Sequence, residues 1–437
     1  MDQKQTAIQI FMAGVESVKP DNLIKRFVSL DRNILKIENL IFDLSVIKNI
    51  YVVGAGKASA VMAETIEYVL GSRITSGHII TKYGHSVPLK FIGITEAGHP
   101  VPDINGIEGT KQILSIVNEA GKDDLVICLI SGGGSALLAD VPENCTLDDL
   151  KAVNGILLKS GADINEMNCI RKHLSGVKGG LLSKSAFPAR VVSLILSDVV
   201  GDPLDVIASG PTAPDPTTFA DAMNIINKYQ IKNEIPEQIY LVLQEGFEKK
   251  RQETLKESDE IFLNTTNLII GTNKLALKTA KEKAESAGFE SIVISDSVNG
   301  DVNDLVEYII ETVRKVKDEI TGRKICLLFA GEPTVRVKGR GLGGRNQHLA
   351  LSAALFIKNS PGITILSAGT DGNDGPTDAA GAVVDSETMN LAFPNNSRPE
   401  DFLAEFDSYN FFKKYGGHVI TGPTRTNVMD LIVVIIE

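Results

Sequence analysis

No stretch of the chain approaches the roughly 18 consecutive apolar residues that a membrane helix needs. The longest apolar segments, such as Leu431 to Ile436, are strand-sized. The opening residues, MDQKQTAIQIFMAGVESV, carry an acid at position 2 and an amphipathic pattern. A basic start followed by an apolar stretch is missing, so no secretory signal is read. Cysteine is scarce: Cys128, Cys145, Cys169 and Cys326 are the whole set, and none stands in CxxC spacing. That argues against a structural zinc site and for a reducing, cytoplasmic setting. No repeat of about 20–50 residues and no low-complexity tract is visible. An excess of positive charge is lacking too. With 44 Lys and Arg against 55 Asp and Glu, the net charge is −11. Such a chain is ill suited to coat nucleic acid or an anionic membrane. A small anionic substrate would need its own local Lys and Arg.

What is present is the composition of a globular protein, 43% hydrophobic and 23% charged, in a length that predicts two large domains or about three smaller ones. Ala7, Ile10, Phe11, Gly14, Val15 and Val18 recur at helical spacing. From Ile50 onward the pattern becomes strand, glycine turn, helix. Ile50–Val53, Leu125–Ile130 and Val191–Leu196 read as buried strands. This alternation predicts a parallel α/β sheet with helices on both faces. A charged, strand-poor stretch over 231–260 is the best boundary candidate, and the alternation restarts at Asn267. Two α/β domains with a cleft between them are expected.

Glycine-rich turns stand at the ends of several predicted strands, the edge at which open α/β sheets bind ligands. Gly54-Ala55-Gly56-Lys57-Ala58-Ser59 is neither a Walker A loop nor a complete GxGxxG. The following strand ends Ile80-Thr81-Lys82 where NAD binding wants an acid, so NAD is disfavoured and NADP stays open. The turn can still form a backbone N–H anion cradle with one lysine at its mouth. Ser131-Gly132-Gly133-Gly134-Ser135 lets a ligand approach the backbone without Cβ interference and suits a polyphosphate. Basic residues cluster along Arg171-Lys172-His173 and Lys178-Gly179-Gly180. Asp198 and Asp202 follow a buried strand on a Gly/Pro loop, where two carboxylates could hold Mg2+. Arg345 opens a helix after flexible glycines, a poor place for a cation unless it reaches an anion. Asp371, Asp374 and Asp378 crowd the loop after another strand. An Asx-rich turn is as good a reading of them as metal binding or proton acceptance.

In order, VVGAGKAS, GHPVPD, SGGGSALL, RKHLSGVKGG, SDVVGDPLDVIASGPTAPDPTT, GEPTV, GGRNQ and AGTDGNDGPTDAAGAVVD together resemble the glycerate 2-kinase family, over about Gly54 to Asp430. The resemblance implies an N-terminal Rossmann-like three-layer sandwich over 1–245 and a C-terminal MOFRL α/β domain over 260–437. The active site is then expected in the cleft between them. It also implies ATP- and Mg2+-dependent phosphorylation of D-glycerate at the 2-hydroxyl. Under it, Ser131, Gly132, Gly133, Gly134, Ser135 and Lys178 are expected to bind ATP, with Asp198 and Asp202 on Mg2+. Lys57 is placed near the transferring phosphoryl group or the glycerate. Arg345 is placed on the glycerate carboxylate or the γ-phosphate, and Asp371 on the 2-hydroxyl. Departures from the family pattern are His348 after GGRNQ and Arg425 after TGPT. The expected partners are D-glycerate and ATP, without nucleic acid or membrane; a homo-oligomer stays open. Some members carry the label hydroxypyruvate reductase, which makes an NAD(P)H-dependent reductase the rival.

Overall fold

Three sheets organise the computed structural model, which describes residues 2–319, 322–392 and 398–437. The smallest is an antiparallel meander of β1 (Val28–Asp31), β2 (Ile34–Ile37) and β3 (Leu40–Asp43). The second is six-stranded: β4 (Ile50–Ala55), β5 (Ser76–Lys82), β6 (Gly93–Ala97), β7 (Leu125–Ile130), β8 (Arg190–Leu196) and β9 (Thr265–Gly271). Its order is β6-β5-β4-β7-β8-β9, and the neighbours from β6 to β8 are parallel. Every residue of β4 and β7 is buried. An unbroken apolar run of this kind is what a strand covered on both faces requires. Strand order reverses between β4 and β7, so the loops at their carboxyl ends part and leave a crevice for a ligand.

The third sheet is also six-stranded but mixed. It holds β10 (Glu290–Val298), β11 (Ile325–Gly331), β12 (Ile363–Gly369), β13 (Gly381–Asp385), β14 (His418–Val419) and β15 (Asp430–Ile436), in the order β10-β11-β15-β12-β13-β14. Only β10 and β11 pair in parallel. β15 runs antiparallel to both β11 and β12 and sits between them. An antiparallel neighbour needs no crossover helix, so the last strand enters the middle of the sheet directly. Phe329, Leu349, Phe411, Phe412, Ile432 and Val434 form part of the core against this sheet.

The chain divides into two compact units. One comprises Leu23–Ser197 and Asp202–Ile270; the other comprises the segment up to Asn22, Asp198–Gly201 and Gly271–Glu437. The amphipathic helix Gln3–Ser17 therefore belongs with the C-terminal part of the chain. A Cβ built on Gly14 of this helix would lie 3.0 Å from the carbonyl oxygen of Ala276, so the two backbones nearly touch. The charged stretch around 247–260 lies inside the first unit, and β9 edges its sheet. The α/β alternation expected to restart at Asn267 begins after that strand.

Two helices that shape the first unit's cavity are set by local chemistry. Leu147–Ser160 opens on a capping box between Thr146 and Asp149 and closes on left-handed Gly161. Ile164–His173 opens on a second box, Asp163 with Glu166. Such a cap contributes about 1 kcal/mol. Among the described residues, no helix is long and apolar enough to cross a membrane.

Candidate active site

The carboxyl ends of β4 and β7 meet where the order of the second sheet reverses. The Lys57 N–H donates to the Gly132 carbonyl at 2.9 Å. The Ser131 hydroxyl accepts from the Ala58 N–H at 3.0 Å and lies 3.2 Å from the Ser59 hydroxyl. Gly56 has φ +144°, and a Cβ there would stand 2.0 Å from Ser131 Oγ, so only glycine permits this closure. Ser131 is fully buried and its side chain is spent holding the two turns together. The helix expected after the turn is a single turn, Gly134–Leu137. Any anion cradle here rests on individual N–H groups, not on a long helix dipole. Three are available: among the described residues, the N–H groups of Gly132, Gly133 and Ser135 donate to no protein acceptor.

Positive charge gathers at the same edge. A Cβ built on Gly133 would lie 3.5 Å from Lys57 Cγ and 2.9 Å from the His99 ring. The Lys57 ammonium has no carboxylate partner among the described residues. Burial, then Lys57, Lys82 and His85, pull the His99 imidazole down to about 4. It is neutral at pH 7, with burial the largest cause and the neighbouring bases adding to it. His99 and His85 carried no role in the sequence reading, and Lys82 entered it only as the residue that disfavours NAD. The signal was available, since His99 belongs to the GHPVPD motif.

From Gly133 and Ser135 a cavity of about 590 Å³ runs beneath the two capped helices. Lys178 lines it; its ammonium donates to the Leu138 carbonyl and lies 3.7 Å from Asp140, and burial lowers its pKa. The basic trio beside it divides its labour. Lys172, 2% exposed, pairs with Asp215 at 2.7 Å and Asp205 at 3.3 Å. His173 is fixed between the Cys169 carbonyl and Glu253. Arg171 alone faces the cavity.

The loop Asp202–Gly210 packs against this turn. Ser209 and Ser135 share a hydroxyl contact of 2.7 Å, and a Cβ on Gly134 would come within 2.7 Å of Ala208 Cβ. Asp202, Ala208 and Ser209 all adopt positive φ, at 58°, 51° and 60°. Strain of this kind in non-glycine residues is a mark of functional loops. Asp202 Oδ1 is buried without a hydrogen-bond partner among the described residues. An orphaned carboxylate oxygen is what a cation, or water on a cation, would satisfy, so the residue fits Mg2+. Asp198 lies in the second unit, where its carboxylate accepts from Asn427 at 3.3 Å. Among the described residues no group of three or more His, Cys, Asp or Glu is arranged around a metal position. Mg2+ beside phosphates asks for no more than one or two carboxylates.

In the second unit Arg345 and Asp371 come to one sheet edge. The guanidinium donates to Asp430 through Nε and Nη2 at 2.6 and 3.0 Å, and through Nη1 to Glu332 at 3.0 Å. Burial works against the charge, but Asp430 and Glu332 raise the Arg345 pKa above its ordinary value. A Cβ built on Gly369 would lie 3.3 Å from Asp371 Oδ1 and 3.4 Å from Asp430 Oδ1, which places both acids at one point. Asp371 also accepts from the Asn373 N–H in an Asx turn. Asp374 is different: it is buried and accepts from the N–H groups of Asn346 and Gln347, capping the helix Arg345–Ile357. A Cβ on Gly344 would sit 2.3 Å from its carboxylate, so the glycine admits the cap. Burial pushes the Asp374 pKa up to about 6. Asp378 accepts from the Tyr409 hydroxyl. His348 is buried and stacks on Phe406 at 4.7 Å. Asp430 and Glu332 were missed by the sequence reading, although an acid heading a wholly apolar strand was a usable signal.

A family model described as a domain of unknown function (DUF4147) matches residues 6–244, and the MOFRL family model matches residues 325–430. The chain is 41% identical over 436 residues to D-glycerate 2-kinase of Thermotoga maritima, covering 98% of this chain and 97% of that one. A putative hydroxypyruvate reductase of Agrobacterium vitis is 41% identical over 389 residues, 88% of this chain and 86% of that one. The crystal structure of glycerate kinase from Thermotoga maritima superposes with a TM-score of 0.88 at 41% identity, over 100% of this chain and 99% of that one. Full-length likeness in both sequence and structure establishes that the chain belongs to the glycerate 2-kinase family, with a MOFRL segment in its C-terminal part.

Proposed function

We propose that this protein is an ATP- and Mg2+-dependent kinase that phosphorylates the 2-hydroxyl of D-glycerate, giving 2-phosphoglycerate and ADP. The observation that carries the reading is the anion cradle at the sheet reversal. There, three unspent N–H groups, on Gly132, Gly133 and Ser135, stand beside a lysine with no carboxylate partner among the described residues. A neutral or singly charged ligand would not need that concentration of positive charge. A triphosphate does.

Phosphoryl transfer is mostly alignment and charge neutralisation. The turn Ser131–Ser135 binds the polyphosphate through its backbone, and Lys178 stiffens the cavity wall beside it. Lys57 meets the transferring phosphoryl group or the glycerate. Arg345 grips the glycerate carboxylate or the γ-phosphate. Asp371 orients the 2-hydroxyl; in a loose transition state the proton leaves late, so orientation matters more than basicity. Asp198 and Asp202 would hold Mg2+, which supplies charge neutralisation of the phosphates when bound. His99, neutral at pH 7, adds a ring wall without adding charge. The domain assignment that goes with this reading is an N-terminal Rossmann-like glycerate kinase domain over about 1–245, less the helix Gln3–Ser17 that belongs with the C-terminal unit, and a MOFRL domain over 260–437. Four free cysteines, with Cys128 pushed up to about 12 by burial, support a cytoplasmic setting.

The reductase reading has less behind it. β5 ends at Lys82, where the NAD fingerprint places an acid. A coupled ADP-release assay run beside an NAD(P)H absorbance assay separates the two. The kinase forms ADP only with D-glycerate and Mg2+ present. Oxidation of NAD(P)H by hydroxypyruvate without ATP turnover would overturn it.

A further inference from the structure

The helix Ile164–His173 turns one face to the loop that carries Asp202. Asn168 and Lys172 stand four residues apart and share that face. Both are buried, at 4% and 2% exposure. Asn168 Oδ1 accepts from the Ser209 hydroxyl at 3.5 Å, and the Lys172 ammonium donates to Asp205 Oδ2 at 3.3 Å. The same ammonium meets Asp215 Oδ1 at 2.7 Å. Asp215 is itself a fixed point. It accepts from the Thr217 N–H, the Thr217 hydroxyl and the Thr254 hydroxyl at 2.9, 2.7 and 2.9 Å.

The loop Asp202–Gly210 is closed on itself. The N–H groups of Val206 and Ile207 donate to the Pro203 carbonyl at 3.0 and 3.1 Å, and the Ser209 N–H donates to Val206 at 2.9 Å. A Cβ on Gly210 would stand 2.9 Å from Asp205 Cα. At its carboxyl end the backbone anchors it: the Gly179 and Gly180 N–H groups donate to the Ser209 and Gly210 carbonyls at 3.1 and 2.8 Å. Its amino end is held differently. Asp202 stands there at φ +58°, with Oδ1 buried and unpartnered among the described residues. Among the described residues, the first hydrogen bond that leaves the loop after Asp202 is the one between Asp205 and Lys172.

A buried ammonium is weak evidence for stability, because desolvation offsets most of what its ion pairs return. An apolar side chain of similar length would fill the same space without that cost. What it would lack is a directed bond. Lys172 links rigid Asp215 to Asp205, and Asp205 opens the turn whose bonds to Pro203 orient the residue just before it, Asp202. Partners one step removed from a metal ligand set its orientation and are worth about 10–100-fold in affinity or activity. We propose that Lys172 is a positioning residue of this enzyme: it carries the fixed point at Asp215 to Asp205 and thereby sets where the Asp202 carboxylate stands. The proposal rests on the kinase reading, with Asp202 as a residue that would hold Mg2+.

The test is made at Asp205, which is 28% exposed and whose truncation leaves Lys172 paired with Asp215. In full-length Asp205→Ala enzyme, the Mg2+ concentration that gives half-maximal phosphoglycerate formation should rise by about tenfold or more, with KM for D-glycerate within about twofold of wild type. Hydrogen exchange of the metal-free protein reads the same link without turnover. The amides of Val206 and Ile207 should exchange at least about tenfold faster, while those of β7 and β8 keep wild-type rates. Asp202→Asn should raise the Mg2+ requirement to a like degree, and adding Asp205→Ala to it should cost little more, because the two act through one carboxylate. An unchanged Mg2+ requirement in Asp205→Ala, full additivity in the double variant, or exchange accelerated throughout the unit would overturn the positioning role. An Asp202→Asn enzyme with the wild-type Mg2+ requirement would also overturn it and leave the kinase reading intact. A wild-type enzyme that forms no phosphoglycerate from ATP and D-glycerate would sink the kinase reading itself.

Discussion

Arg345 and Asp430 form a two-point pair across 85 residues of chain, with Nε to Oδ2 at 2.6 Å and Nη2 to Oδ1 at 3.0 Å. The acid is the first residue of β15, set in register between Gly331 of β11 and Gly369 of β12. The base opens the helix Arg345–Ile357, whose N-terminus Asp374 caps. The guanidinium is thus oriented from two directions, through its fork and through its backbone. Asp430→Asn keeps the shape and removes the charge. It should lower kcat/KM for D-glycerate by about 10²-fold, in line with the loss of other preorganised contacts. Stability should fall by about 1–3 kcal/mol, because the guanidinium loses its buried partner and keeps only the half-exposed Glu332. Arg345→Lys should not restore activity, since an ammonium cannot reproduce the fork. Steady-state kinetics with thermal melts checks both; an Asp430→Asn enzyme with wild-type kcat/KM would sever the link between this pair and turnover.

Glu332 takes one N–H of Nη1 on the same guanidinium. Its carboxylate is 3.0 Å from Nη1 and 50% exposed, whereas Asp430 is 3% exposed. With two acids on one base the cluster is net negative, an unfavourable reception for glycerate. Among the described residues, two guanidinium N–H groups, one on Nη1 and one on Nη2, stay available, and a substrate carboxylate that takes them comes up against the Glu332 charge. Glu332→Gln should therefore lower KM for D-glycerate several-fold, with a smaller change in kcat. A raised KM would mean that Glu332 positions Arg345 and does not compete for it.

The parallel sheet was legible because its central strands β4 and β7 are continuous apolar runs closed by glycine turns, a pattern that local sequence carries in full. The third was not. The place of β15 between β11 and β12 is decided by pairing between segments more than 60 residues apart, and nothing in LIVVII marks a central antiparallel strand. Site residues divide on similar grounds. Glycines and lone cations are visible locally, so Lys57, Arg345 and the SGGGS turn stand out. Arg171, Lys172 and His173 looked like one basic patch, but consecutive helical residues point about 100° apart, and only the first reaches the cavity. Asp371 and Asp374 are equivalent in the motif DGND; packing alone makes one a surface acid and the other a buried cap.

Lys57→Ala tests the anion cradle. Removing the Lys57 ammonium beside the Gly132–Ser135 turn should lower kcat/KM by at least about 10²-fold. The turn itself is held by Ser131 and backbone bonds that do not involve the Lys57 side chain, so the melting temperature should stay within a few degrees of wild type. Arg345→Ala is expected to lose activity to a similar extent. Near-wild-type turnover in both variants would refute the roles given to them while leaving the family untouched.

His173 supplies a pH-dependent element of stability outside the chemistry. Its Nδ1 faces the Cys169 carbonyl at 2.7 Å and its Nε2 faces Glu253 at 2.8 Å. Neither partner can donate, so both ring nitrogens must carry protons and the ring is an imidazolium. Burial alone would lower its pKa; the bonds to Cys169 and Glu253 more than reverse this and raise it to about 9 from 6.5. The folded pKa lies above the unfolded one, so the stabilisation is complete below about pH 6.5 and is lost as pH rises through about 9. At about 1.4 kcal/mol per pH unit the ceiling is on the order of 3 kcal/mol, reduced by the partial exposure of Glu253. His173→Gln should lower the melting temperature at pH 6 and flatten its decline between pH 6.5 and 9. Parallel melting curves for wild type and variant across that window would show that the ring is not charged in the folded protein.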